Sequence, residues 1–246
     1  MTDLSELEYE RFVVAFIDIL GFRELIKTST SRQDDRVSAF TALINLSALD
    51  SLQAEDMMPD LRIQIFSDSV ILALPLRAKA IIDMLFITNT ASWRLMRHGV
   101  WLRGGITIGH AYFDDFAAFG PAIIEAYDIE STLAKQPRIA LGKPALDAFR
   151  KEEEHLQKAR FAERDSDGIY FPNFLNFAAD IMLRSSKDHA AIFRADAENI
   201  KVSIEKKIAE TVSNPSVFGK VMWVTEKWNK AFSVHESLSH LFINVD

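Results

Sequence analysis

Asp18 closes the apolar run Phe-Val-Val-Ala-Phe-Ile of residues 12–17, and Asp68 sits in the triplet Ser67-Asp68-Ser69 between two further apolar runs. A carboxylate at the end of a buried strand needs a counter-charge, a hydrogen-bond donor or a cation. Two carboxylates brought together raise each other's pKa unless a cation stands between them. Hard divalent ions such as Mg²⁺ take oxygen ligands, commonly one or two carboxylates together with substrate phosphates. Gly21, three residues after Asp18, suits the same chemistry, because bare backbone can turn N–H groups toward phosphate at the start of a following helix. A third segment, Arg103-Gly104-Gly105-Ile106-Thr107-Ile108-Gly109, adds a cation to a strand whose glycines allow close approach by a ligand or another backbone. Either aspartate alone equally suits a helix cap or a turn. The three segments together favour a metal-bridged triphosphate.

These residues need elements to position them. Residues 12–18 read as a buried strand, rich in Val, Phe and Ile. From Gly21 to about Leu52 the spacing is helical, with a break near 29–35 and Leu25, Phe40, Leu43, Ile44 and Leu46 as core positions. Arg62–Pro75 reads as a hairpin turning at Ser67–Ser69. A helix over 77–97, a strand over 100–113, a helix over 120–133 and a short strand after Pro137 follow. Beyond them come a charged helix over 145–163, a strand at Gly168–Pro172, and helices over 187–212 and 215–232. The order predicts an α+β fold, a sheet with helices packed on one face, close to the ferredoxin-like palm arrangement. In such a sheet the first strand and the hairpin are neighbours, so Asp18 and Asp68 converge.

Composition narrows the function classes. A chain of 246 residues with 48% hydrophobic content can bury a large core. A net charge of −7 argues against a general nucleic-acid binder. No apolar run reaches the roughly 18 residues that a membrane span needs. The acidic, polar opening residues do not read as a secretory signal. The absence of cysteine excludes disulfides and thiolate metal sites, and fits a cytoplasmic protein.

The segments Phe16–Phe22, Phe66–Leu74 and Leu102–Gly109, in this order and at this spacing, resemble the class III nucleotidyl cyclase homology domain. Gly120–Ser131 stands where that family has its Gly-…-Glu-Ser helix, with Gly120, Glu130 and Ser131 in register. The resemblance covers about residues 10–145, leaving 146–246 as a mostly helical C-terminal extension packed on the same domain. It is strongest to the bacterial cyclases of the Pycsar antiphage systems, which make cyclic UMP or cyclic CMP, and the C-terminal stretch 222–232 also resembles that group. The resemblance implies that Asp18 and Asp68 ligate two divalent cations, Mn²⁺ or Mg²⁺, with the Ile19 carbonyl as a further ligand. It implies that Leu20, Gly21 and Phe22 form the phosphate loop, and that Arg103 lies near the triphosphate. It further implies a homodimer with active sites at its interface, the 120–133 helix of one chain near Asp18 of the other, and a separate effector protein that reads the product.

The chain departs from that pattern at informative places. Where the family carries an Asn and an Arg that assist the transition state, Ile124 and Asp128 stand. Gln64 and Ala117 stand where the purine-selecting Lys and Asp are expected. Both metal aspartates remain, which favours a cyclase rebuilt for a pyrimidine, UTP or CTP, over a non-catalytic nucleotide sensor. Phe66, Phe116 and Phe119 could narrow the base pocket around Gln64. Glu125, Tyr127, Lys135 and Arg138 are candidates for the replacement transition-state group, with Tyr127 also a candidate substrate contact. His110 reads as a strand-end polar residue, and Asp114-Asp115 as a solvated loop pair. A polymerising or diguanylate-forming palm enzyme is the remaining rival. It is disfavoured because the hairpin turn lacks the Gly-Gly-acidic-acidic-Phe signature.

Overall fold

The computed structural model describes residues 8–31, 33, 58–114, 117–153 and 161–245. Its central sheet runs in the order β2-β3-β1-β4-β5, with β6 also paired to β4. The strands are β1 (Glu10–Ile19), β2 (Arg62–Phe66), β3 (Ser69–Pro75), β4 (Leu102–Phe113), β5 (Ala118–Phe119) and β6 (Ile139–Leu141). The hairpin β2–β3 turns through Ser67 and Asp68, and Ser67 adopts a left-handed φ of 54°. That tight turn places β3 against β1 in antiparallel register, with Ser69 opposite Asp18. On the other side of β1, Arg103 is opposite Asp18 and Gly105 opposite Phe16.

Strand alternation divides the sheet into two faces. Val13, Ala15 and Ile17 of β1, with Val70, Leu72 and Leu74 of β3, are fully buried beneath α2 (Ala80–Met96) in the larger core. Phe12, Val14, Ile71 and Ala73 occupy the opposite face and pack with Ala122 and Ala126 of α3 (Pro121–Leu133). The fold is α+β as expected, and α3 is added on the second face. A strand buried on both faces reads as a continuous apolar run rather than an alternating one, as residues 12–17 do.

Glycines let α3 lie against β4 at backbone distance. A Cβ on Gly105 would overlap the Ala126 carbonyl oxygen and come within 2.6 Å of Ile129 Cβ. One on Gly109 would stand 3.1 Å from Ala122 Cβ.

After α3, β6 returns parallel to β4, and α4 (Lys143–Glu153) packs its Ala145 and Phe149 into the main core. The charged helix expected through 163 does not extend that far. Ala162–Arg164 is a strand, β7, paired with β8 (Tyr170–Pro172), because the turn between them is closed by hydrogen bonds from Ile169 N and Gly168 N involving Asp165 and Asp167. Then come α5 (Phe174–Arg184), which the sequence spacing did not predict, α6 (Lys187–Thr211), α7 (Pro215–Phe232) and a 3₁₀ turn at Glu236–Leu241. Asn173, Ser186 and Asn214 cap α5, α6 and α7 through their side-chain oxygens. These helices form a second core around Trp228, Phe232, Ile200 and Ala178. The expected helix after Gly21 is described as α1 (Phe22–Ser29). Phe40, Leu43, Ile44 and Leu46, and the side chain of Leu25, lie outside the described residues. None of the described helices is long and apolar enough to cross a membrane.

Candidate active site

Two backbone hydrogen bonds assemble the acidic end of the sheet. Ile19 N donates to Asp68 O at 3.1 Å, fastening the hairpin turn to the end of β1, and Leu20 N donates to Trp101 O at 2.9 Å. The chain then turns at Gly21, whose φ of 81° disfavours any side chain, and enters α1. Glu24 N donates back to Gly21 O at 3.1 Å, which leaves the Phe22 and Arg23 amides as first-turn donors with no acceptor within the helix. Leu20, Gly21 and Phe22 thus form a tight loop directly after the Asp18 strand, with Phe22 itself buried in the main core.

Asp18, Arg103 and Glu130 form a chain of charges. Arg103 Nε donates to Asp18 Oδ2 at 3.0 Å and lies 2.7 Å from Glu130 Oε1. The single Nε–H is directed at Asp18, so Glu130 Oε1 receives charge without a hydrogen bond and is an orphaned buried acceptor among the described residues. Ser69 Oγ lies 3.5 Å from Asp18 Oδ1, at the limit of a hydrogen bond. Burial pushes the Asp18 carboxyl above its ordinary range; Arg103 opposes that, and the adjacent Asp68 carboxyl adds to it. Burial likewise raises Glu130, with Arg103 again opposing and Asp18 reinforcing. One guanidinium therefore serves two carboxylates, with a third beside them. This is an excess of negative charge that a cation would relieve.

The donors suit a hard cation: Asp18 and Asp68 carboxylates, the Ser69 hydroxyl and the Ile19 carbonyl are all oxygen. Among the described residues, no group of three or more His, Cys, Asp or Glu side chains could hold a metal ion.

Gln64 lies on the same face as Asp18. Its row across the sheet runs Gly105, Phe16, Ile71, Gln64. Its Oε1 is buried with no partner among the described residues. The Phe16 ring meets Tyr127 edge-on at 5.4 Å, and Tyr127, like Phe66, is about half exposed. Asp18, Arg103, Gln64 and Tyr127 therefore share one face, with Asp68 at its rim.

Other candidates fall elsewhere. Arg138 is buried, with its guanidinium engaged by Asp165 and Asp167, so it is unavailable to a reacting phosphate. Asp114 caps its own turn, accepting from Ala117 N at 2.6 Å and from Tyr112 Oη at 3.0 Å. His110 is an exposed strand residue opposite Arg11. Glu125, Asp128 and Lys135 are exposed, as is Ile124. Phe116 and Asp115 lie outside the described residues. The sequence reading missed Ser69 and the ion pair of Glu130, although the spacing of Glu130 within Gly120–Ser131 marked its helix.

No family model matches the chain, and no curated protein matches it. Among solved structures, it is similar to the monomeric guanylyl cyclase domain of the RhoGC fusion protein from the aquatic fungus Blastocladiella emersonii. The two share 16% identity over 67% of this chain and 95% of that one, with a TM-score of 0.49. It is also similar to a class III adenylyl cyclase-like ATP-binding protein from Pseudomonas aeruginosa, at 14% identity over 57% of this chain and 35% of that one, with a TM-score of 0.46. A third likeness is to an adenylate/guanylate cyclase/hydrolase from Silicibacter pomeroyi, at 14% identity over 67% and 95% of the two chains, with a TM-score of 0.39.

Proposed function

We propose that the chain is a nucleotidyl cyclase that converts UTP to 3′,5′-cyclic UMP and pyrophosphate, with CTP as the alternative substrate. The observation that carries this reading is the meeting of the Asp18 and Asp68 carboxylates at one end of the sheet, with Arg103 bonded to Asp18, directly before the Leu20–Phe22 loop. In this reading residues 10–145 carry the chemistry and 146–246 form a helical extension on the same domain.

Asp18 and Asp68, with the Ile19 carbonyl, would hold two Mg²⁺ or Mn²⁺ ions. When bound, these supply acidity to the ribose 3′-hydroxyl and neutralise charge on the leaving pyrophosphate. Arg103 holds Asp18 in its rotamer and presents its remaining N–H groups toward the phosphates. Gly21 and Phe22 of the loop offer backbone N–H groups to the same anion, the Leu20 N–H being held by Trp101 O. The 3′-oxygen bonds to the α-phosphorus as the bond to the β-phosphate bridging oxygen breaks, and the 3′-proton leaves to solvent. Positioning and charge stabilisation provide nearly all of the catalysis such a transfer needs.

Gln64 supports a pyrimidine. Its buried Oε1 has no protein partner among the described residues, and an amide can present either donor or acceptor to a base edge. A site that hydrogen-bonds its base rejects one lacking the partner by large factors. Uracil over cytosine rests on the resemblance alone. The product would be read by a separate effector protein in antiphage defence, and the enzyme would work as a homodimer.

A second reading, a non-catalytic nucleotide sensor, is favoured by exposed Ile124 and Asp128 where transition-state groups are expected. Incubation with four equimolar NTPs and Mn²⁺, with products identified by mass, separates the readings. Cyclic UMP as the main product is expected. A dominant purine product overturns the base assignment, dominant cyclic CMP overturns only its uracil half, and no cyclic product at all leaves the sensor.

A further inference from the structure

Behind the Leu20–Phe22 loop lies an open groove of about 720 Å³ whose far wall, from the C-terminal helices, none of the roles above uses. One wall is the loop itself, and the floor is the turn from His98 to Trp101 between α2 and β4. The opposite wall is made by α6 and α7, which bring Lys206, Lys207 and Lys220 to it. The chain as a whole carries a charge of −7, yet here three lysines face a single carboxylate, Glu210. Glu210 is within 3.7 Å of Lys206.

Lys207 is the most constrained of the three. Its amine stands 5.2 Å from the centre of the Trp101 ring. Its stem packs on the turn, where a Cβ on Gly99 would make an ordinary van der Waals contact of 3.9 Å with Lys207 Cε. Among the described residues no carboxylate oxygen lies within ion-pair distance of it. Burial lowers its pKa, with Glu210 opposing and Lys206 reinforcing. Holding a partly desolvated ammonium without a close counter-ion costs free energy, and an anion in the groove would remove that cost. Lysine presents a compact charge suited to phosphate, and the open amides of the first turn of α1 border the same space.

We propose that this groove binds the polyphosphate tail of the nucleotide, with Lys207 as the principal counter-charge to the terminal phosphate and Lys206 and Lys220 at the rim. The assignment of the tail to a nucleoside triphosphate rests on the cyclase reading; the binding of a short polyphosphate does not. The C-terminal helices thereby become part of the substrate site.

Titration of the full chain with inorganic tripolyphosphate at low salt, followed by calorimetry, tests this. Saturable binding is expected for the wild type. Lys207→Met should weaken it by tenfold or more, and Lys207→Arg should stay within about threefold of wild type. In turnover, Lys207→Met should raise KM for the best NTP with little change in kcat, the signature of lost uniform binding. If circular dichroism shows Lys207→Met unfolded, Lys220→Met in the same titration takes its place and should weaken binding severalfold. No saturable binding by wild type, or unchanged binding by the folded lysine variant, overturns the groove assignment. Cyclic nucleotide formed with unchanged KM in Lys207→Met also overturns it while leaving the cyclase standing. Tripolyphosphate binding lost with Lys207, in a chain that cyclises no NTP, upholds the groove and overturns the cyclase.

Discussion

At the scale of single residues, the decisive feature is that Arg103 is shared. Its Nε–H goes to Asp18 while Glu130 sits 2.7 Å away with no hydrogen bond. Burial and the neighbouring Asp68 raise the Asp18 carboxyl despite Arg103, so the ionised carboxylate is unfavourable in the metal-free protein. Removing it should therefore not unfold the chain. Asp18→Asn and Asp68→Ala are expected to abolish NTP turnover by more than about a hundredfold, since losing a metal ligand costs several kcal/mol at the transition state. Their melting temperatures without metal should hold or rise. A variant that keeps a tenth of wild-type turnover would remove that aspartate from the metal pair. A melting temperature several degrees lower would show instead that it supports the fold.

At the scale of elements, a buried ion cluster ties the C-terminal helices to the sheet. Asp165, in the β7–β8 turn, accepts from Lys227 Nζ at 2.7 Å and Trp223 Nε1 at 2.8 Å on α7, and from the Arg138 guanidinium just before β6. Gly104 N on β4 in turn donates to Arg138 O at 3.1 Å. Burial alone would raise Asp165, but Lys227, the Ser166 N–H and Trp223 hold its pKa at about 2. A depressed carboxylate pKa contributes stability that is present above its unfolded value of 3.8 and lost as pH falls through about 2. Asp165→Asn should be destabilised by about 3–5 kcal/mol at neutral pH, because it leaves Arg138 and Lys227 buried without their shared partner. Denaturant unfolding should also show a shallower loss of stability between pH 4 and 2 than in wild type. Equal slopes would mean that other carboxylates govern the acid limb. None of this cluster was legible in the sequence. The residues leading up to Asp165 read as the end of a charged helix, and its partners lie 27 to 62 residues away along the chain. The carboxylate pair was legible because a strand ending in Asp-x-x-Gly and a two-residue hairpin fix local geometry whatever else packs around them. Lys206 and Lys207, on a highly charged helix, carry no local mark that distinguishes them from solvated lysines.

At the scale of the whole molecule, the face that carries Asp18 is incompletely covered. Ile124 and Tyr127 on α3 and Phe66 at the end of β2 are large apolar side chains between 51% and 63% exposed. Exposed apolar groups gathered on one side are a cost that a second copy would remove, and a two-fold pair presents the same surface on both partners. The chain is expected to sediment as a dimer at micromolar concentration. Ile124→Glu combined with Tyr127→Glu should yield monomers that retain their fold but lose most turnover per chain. Full activity in a demonstrated monomer would remove the shared-site arrangement.

The contact between Gly105 and α3 bears on how such a protein can diversify. With the helix resting on β4 at backbone distance, no residue larger than glycine enters that seam without displacing the helix that carries Glu130. If the chain is the proposed cyclase, retooling its pocket for a different base would proceed by exchanging side chains on a stationary frame, at positions such as Gln64, Ile124, Tyr127 and Asp128. Cousins that favour different nucleobases should superpose closely through β4 and α3 and differ in what protrudes from them.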